Sequence, residues 1–322
     1  MTWPGAHWLD HLVALASGRA RVYRDGWGDA ALLASLATPA RFEEDPPAIR
    51  ITWRSFEVQR SLRIRDGSFP APVTELPAPA RTALVRHLAP AAPAPRPRPV
   101  YVVLASSGEE GFAMRERLWR PLVAEGEVEV VLLENAMYGA RRPEGQRGAD
   151  VRTVSDQLLM NVSMVEEARA LLDWLAREGH DRTGIAGYSM GGSMAALVAA
   201  VTPRPIAAAV FAAGRSGVPV FTEGLLSRGI DHAALGASAR TRMGEIFGVA
   251  DLDRHPTPRR PEAAVLVGAR RDGYVRAAEV TALHRAWPGS ELRWLDTGHA
   301  GGLLFRGDEL RRAARDAMAR LA

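Results

Sequence analysis

The chain contains no cysteine in its 322 residues. That absence removes a thiol nucleophile, a disulfide framework and a cysteine-ligated zinc site, and it leaves the redox compartment open. Lysine is absent too, so all 41 basic residues are arginine, set against 37 acidic ones. A net charge of +4 interspersed in this way describes a solvated surface and not a nucleic-acid footprint. Arginine-only, alanine-rich usage is also what a GC-rich bacterial genome produces. No run reaches the ~20 apolar residues needed to cross a bilayer. The N-terminal stretch lacks a basic start, and Asp10 and His11 interrupt what a signal peptide would keep apolar. A cytoplasmic location is therefore expected. Trp8, Leu9, Leu12 and Leu15 or Ala16 share a helical face. That face is expected to bury against the domain and not to lie on lipid, because basic residues do not line its opposite side.

With 47% apolar residues the chain can bury a large core. Residues 49–53 alternate like a strand, Asp66-Gly67-Ser68 marks a turn, and residues 82–88 resume extended character. Residues 89–99, rich in proline and alanine, read as a stiff surface connection. From Val100 onward strand and helix alternate: strands at 100–104, 128–133, 206–211, 264–267 and 292–295, and helices at 113–125, 154–178 and 303–321. The pattern predicts an α/β fold, a mainly parallel sheet with helices on both faces. Residues 1–99 are expected to form an N-terminal helix, strands and connection packed on a core of residues 100–322. Residues 215–260 lack strand character and are expected to form a helical cap inserted over the site.

Thr183-Gly184-Ile185-Ala186 leads into Gly187-Tyr188-Ser189-Met190-Gly191 and then into an apolar helical run. A strand that turns into a helix at G-x-S-x-G is a nucleophile elbow, with glycines flanking the serine so that the turn closes tightly. Ser189 is the candidate nucleophile. A hydroxyl needs a base at hydrogen-bond distance and a third group to orient that base. Asp272 follows the next-to-last strand and His299 the last, with Gly298, Gly301 and Gly302 around the histidine to let its loop fold back. Serine, acid, histidine is the chain order of the α/β-hydrolase triad. Asp296 is too near His299 in sequence to approach it from the far side. Asp251 and Asp253, in the cap, and Glu223 are the other rivals to Asp272. The backbone N–H groups of Met190 and of Ser107, in the loop after the first core strand, are the expected oxyanion donors. No metal or cofactor is expected. In the loop after the second core strand, Arg141 and Arg142 could hold an anionic headgroup with Tyr138 beside them, or could be ordinary surface residues. Val218, Val220, Phe221, Leu225, Leu226, Leu235, Ile246 and Phe247 offer an apolar wall to an acyl chain.

A more specific pattern runs through Leu132-Leu133-Glu134-Asn135-Ala136-Met137-Tyr138-Gly139-Ala140-Arg141-Arg142-Pro143, Val154-Ser155-Asp156 and the elbow. With Arg21–Gly28, Phe221–Ser227 and Thr297-Gly298-His299, it resembles the α/β-hydrolase domain-containing protein 18 family over most of the chain. The resemblance implies a serine hydrolase acting on an acyl ester, with lipids the leading substrate class. Ala105-Ser106-Ser107-Gly108-Glu109-Glu110 departs from that family's oxyanion loop, with Ser106 in place of a glycine and Glu110 in place of a histidine. An acyltransferase would use the same residues. A silent binding module on the same fold is the remaining alternative.

Overall fold

The computed structural model of the chain describes residues 5–17, 22–59 and 61–321; Arg21 of the segment noted above lies outside them. Among the described residues ten strands form one sheet: β1 (Thr52–Trp53), β2 (Glu57–Gln59), β3 (Leu62–Pro70), β4 (Thr82–Pro90), β5 (Val100–Leu104), β6 (Glu129–Leu133), β7 (Thr183–Tyr188), β8 (Ala207–Phe211), β9 (Ala264–Ala269) and β10 (Glu291–Leu295). Their order is β1-β3-β4-β6-β5-β7-β8-β9-β10, with β2 also on β3. From β6 to β10 neighbouring strands run parallel, while β4 meets β6 antiparallel, with Val85 opposite Leu133. Strands β1 to β4 are therefore hydrogen-bonded into the same sheet as the later strands.

The helices are α1 (Trp8–Ser17), α2 (Ala30–Leu36), α3 (Ala113–Ala124), α4 (Val154–Arg177), α5 (Met190–Val201), α6 (Val218–Thr222), α7 (His232–Leu235), α8 (Ala239–Phe247), α9 (Ala277–Ala286), α10 (His299–Phe305) and α11 (Gly307–Arg320). The central strands β5 to β9 are buried at every position and mostly apolar, because both faces are covered. Val100, Val102 and Leu104 pack with Leu158 and Leu171 of α4 and Leu197 of α5, while Tyr101 and Val103 pack with Trp119 of α3 and Ala314 of α11. The long helix α4 begins where the Thr153 hydroxyl accepts the Asp156 N–H at 3.1 Å. Among the described residues no helix is long and apolar enough to cross a membrane.

Four expectations are corrected. Gly67 does not turn the chain; it lies inside β3, where a Cβ would come 2.7 Å from Ile51 and 2.8 Å from Trp53, so the glycine makes room for side chains crossing the sheet. Ala89 and Pro90, assigned to the connection, are the last two residues of β4. The closing helix is two helices, divided at Arg306 (φ −116°, ψ 32°), and the first begins at His299 itself. Finally, the expected buried face of α1 is exposed: Trp8 is 63%, Leu12 52% and Leu15 75% accessible, whereas Asp10 is fully buried. Residues 215–260 form α6, α7, α8 and short 3-10 turns, without a strand.

Candidate active site

Strand β7 is the middle of the parallel region, between β5 and β8, and it ends at Tyr188. Ser189 then takes φ 57° and ψ −121°, a conformation a side chain adopts only when its surroundings enforce it. The enforcement is close packing. A Cβ on Gly187 would fall on the Gly191 carbonyl, and one on Gly191 would come 2.7 Å from the carbonyl oxygens of Leu104 and Ala105. The two glycines let α5 start directly on top of β5 and β7, and the serine is left at the apex.

The Ser189 hydroxyl lies 2.9 Å from His299 Nε2, and His299 Nδ1 lies 2.7 Å from Asp272 Oδ2. The other Asp272 oxygen accepts the N–H groups of Tyr274 and Val275 at 2.8 Å each, so the carboxylate cannot rotate away from the ring. An ionised carboxylate only accepts, which places the neutral ring's proton on Nδ1 and leaves Nε2 free to take the serine proton. Burial pulls the His299 pKa down, but the Asp272 carboxylate and its hydrogen bond push it up and Asp10 adds to the rise, so it ends above the ordinary histidine value. Tyr188 holds the same residue from below, its hydroxyl donating to the His299 carbonyl at 2.6 Å. Gly301 and Gly302 do not loosen a loop as expected. They lie in α10, where a Cβ would strike Thr297 and the Tyr188 hydroxyl respectively, so Gly302 lets the helix close onto the end of β7.

The rival acids lie elsewhere: Asp253 pairs with Arg215, Glu223 with Arg276, and Asp296 with Arg271, its side chain 81% exposed. Asp251 lies near Ser216 instead; burial raises its pKa, and a hydrogen bond with Ser216 opposes the rise.

Met190 and Ser107 both border the cavity at Ser189. Among the described residues neither backbone N–H is given to a protein acceptor. The loop carrying Ser107 is anchored from several sides. Glu109 accepts the Ser106 N–H at 3.2 Å and pairs with buried Arg115 at 2.7 Å, and Arg115 also donates to the carbonyls of Val103 and Leu133 at 2.7 Å. The Ser106 hydroxyl donates to the Tyr188 carbonyl at 3.2 Å, tying the loop to the elbow.

Tyr138, Arg141 and Arg142 do not reach the cavity, which corrects their expected role as substrate contacts. Arg141 is fully buried, with a bidentate ion pair to Glu167 of α4 and further hydrogen bonds of 2.8 Å to the carbonyls of Glu134 and Ala80. Both terminal nitrogens are engaged, and Nε, which has no partner, is buried away from the cavity. Arg142 pairs with Glu110 at 2.5 Å on the outside. Tyr138 is buried, its hydroxyl against the Ser107 side chain and the Gly108 N–H, and burial raises its pKa. Glu134 of the same segment accepts the Gly111 N–H at 3.1 Å. The distinctive segment 132–143 thus braces the Ser107 loop from behind.

One residue at the centre gave no signal in the sequence. The Asp10 carboxylate accepts the N–H groups of Gly273, His299 and Ala300, each at 2.9 Å. Gly298 admits it, since a Cβ there would come 2.7 Å from both carboxylate oxygens.

The site opens on a cavity of about 1100 Å³. Leu158, Val162 and Val165 of α4 and Met194 and Leu197 of α5 form its inner wall, and Val220, Phe221, Leu225, Leu226 and Phe247 cover it from the cap segment. Val218, Leu235 and Ile246, also expected on that wall, are not part of the lining. Val13 and Leu15 line it while remaining exposed, which places α1 along its mouth.

The fold recurs among solved enzymes. An acetyl xylan esterase from Paenibacillus sp. R4 is 16% identical, with a TM-score of 0.60 over 91% of this chain and 96% of its own. Acetyl xylan esterase 1 from Thermoanaerobacterium sp. JW/SL YS485 is 14% identical, with a TM-score of 0.60 over 94% and 98%. A thermostable esterase from Pseudomonas putida ECU1011 is 16% identical, with a TM-score of 0.52 over 100% and 99%. At these identities the likeness establishes the α/β-hydrolase fold alone. The family described as alpha/beta hydrolase domain containing 18 matches residues 20–238 and 236–320. With nearly all of its length matched, and with the elbow, sheet order and serine–histidine–aspartate geometry of the fold in place, the chain belongs to that family.

Proposed function

We propose that the chain is a serine ester hydrolase in which Ser189 is the nucleophile, His299 the general base and acid, and Asp272 the orienting carboxylate. The observation that carries this reading is the unbroken hydrogen-bonded line from Asp272 through His299 to Ser189 on the wall of a large cavity. Ser189 Oγ attacks the ester carbonyl carbon as its proton passes to His299 Nε2. The oxyanion that forms is met by the N–H groups of Met190 and Ser107. Collapse breaks the bond to the leaving oxygen, which takes the proton from Nε2 and departs as an alcohol. Water then attacks the acyl-enzyme carbonyl, gives its proton to Nε2, and the acid leaves as Ser189 recovers its hydrogen.

The substrate we propose is an ester of a medium or long acyl chain. An acetyl group would fill little of a 1100 Å³ cavity walled by leucine, valine, methionine and phenylalanine. Arg141 and Arg142 have no part in it.

A fluorophosphonate probe tests the nucleophile. Native chain should be labelled and Ser189→Ala should not. Equal labelling of both, or no labelling of native chain when a known serine hydrolase is labelled alongside, would sink the assignment.

A further inference from the structure

Helix α1 packs the wrong way round for a helix held by the hydrophobic effect. Its only carboxylate is fully buried while Trp8, Leu12 and Leu15 stand in solvent. Among the described residues no arginine or histidine pairs with Asp10. Burying an unpaired anion is costly unless oriented N–H groups converge on it, and three do. Oδ2 accepts from Gly273 and His299 and Oδ1 from Ala300, all at 2.9 Å. Gly273 directly follows Asp272, and Ala300 directly follows His299. One carboxylate from α1 therefore clips the end of β9 to the start of α10, two segments that each carry one member of the triad.

We infer that Asp10 is a positioning residue of the hydrolytic site, fixing the backbone on which Asp272 and His299 sit so that the imidazole stays in line with Ser189. The inference rests on the reading of Ser189, His299 and Asp272 given above. Its second contribution is charge. The groups facing His299 are Asp272 and Tyr274 from the loop after β9, Tyr188 at the end of β7 and Asp10 from α1, while His7 lies against Gly298 and His11 lines the same cavity. Burial pushes the Tyr274 pKa up to about 12, with Asp10 and Asp272 adding to the rise, so that ring is neutral near pH 7. For His299 itself burial lowers the pKa, and Asp272 and then Asp10 raise it. Removing the Asp10 charge therefore lowers it, and the acid limb of kcat/KM moves to lower pH because the base stays unprotonated further into acid.

The test compares native chain, Asp10→Asn, Asp10→Glu and Ser189→Ala in p-nitrophenyl butyrate hydrolysis and fluorophosphonate inactivation across pH. An asparagine oxygen in place of Oδ2 keeps two of the three donors but turns an NH₂ toward the Ala300 N–H. Asp10→Asn is expected to lose roughly 10- to 100-fold in kcat/KM, the scale set by a small misplacement of catalytic groups, and to shift the acid limb downward. Asp10→Glu keeps the charge, so its acid limb is expected at the native position although its rate is lower. A role limited to holding α1 in place would lower the melting temperature and leave the limb where it was. The inference is overturned by an unmoved limb in Asp10→Asn, or by a rate within about twofold of native. Should Asp10→Asn not fold, a displaced limb in folded Asp10→Glu overturns it equally. Equal labelling of native chain and Ser189→Ala refutes the underlying nucleophile assignment instead.

Discussion

Replacing Arg141 by methionine separates a structural tie from a substrate anchor. The Arg141 and Glu167 side chains are 1% and 0% exposed. Nη1 donates to Glu167 Oε2 and to the Glu134 carbonyl at 2.8 Å, and Nη2 donates to the other carboxylate oxygen and to the Ala80 carbonyl. Methionine keeps much of the aliphatic bulk and removes every donor, leaving a buried carboxylate and two carbonyls unserved. Breaking a buried pair from one side costs about 3–5 kcal/mol. A chain of this length shifts its Tm by about 2 °C per kcal/mol, so thermal unfolding should fall by roughly 6–10 °C. Burial raises the Glu167 pKa and the Arg141 charge opposes that rise. In the variant only burial acts, and Glu167 takes up a proton. The folded variant then holds a proton that the unfolded chain releases above about pH 4.3, so its stability falls as pH rises through the window up to the raised folded pKa, more steeply than in native chain. Arg141→Met with Glu167→Leu removes both charges and should regain most of the loss. The ratio of kcat/KM for matched anionic and neutral esters should not change in the single variant, because the guanidinium does not reach the cavity. A Tm within about 1 °C of native, or a selective loss on anionic esters at native stability, would refute the reasoning.

Asp272→Asn should retain the fold and lower kcat by about 10⁴, the size of the comparable change in a serine protease triad, since the amide favours the wrong histidine tautomer. Near-native turnover in that variant would remove Asp272 from the site. Across nitrophenyl esters of increasing chain length, kcat/KM should climb by up to about fourfold per methylene, the equivalent of ~0.8 kcal/mol each, until the cavity is filled. A maximum at acetate would rule out the acyl wall.

The elbow, the strands around it and the order of serine, acid and histidine were legible because each is local. An apolar run, a glycine pair and a charged residue just past a strand sit within a few positions of one another. Gly67 misled because a glycine that opens a turn and a glycine that lets Ile51 and Trp53 cross a strand look alike until the neighbouring strand is placed. Arg141 misled because its partner, Glu167, lies 26 residues on in a helix whose buried side is set by the sheet. Asp10 was invisible for the same reason at greater range. An aspartate among leucines reads as the solvent side of an amphipathic helix, and only the arrival of α10 turns that side inward. The exposed face of α1 follows from the same inversion.

The contact between Asp10 and His299 joins residues 289 positions apart, and that between Ser189 and His299 spans 110. Chains leave the ribosome at about 5–20 residues per second, so roughly 5–20 s pass between synthesis of the elbow and synthesis of its base. During that interval Ser189 lacks the histidine that, on the proposed reading, activates it. Helix α1 waits longer, roughly 15–60 s, its aspartate without the three donors that later seat it. On the proposed roles of Ser189 and His299, hydrolytic competence is thus withheld until translation has passed residue 299.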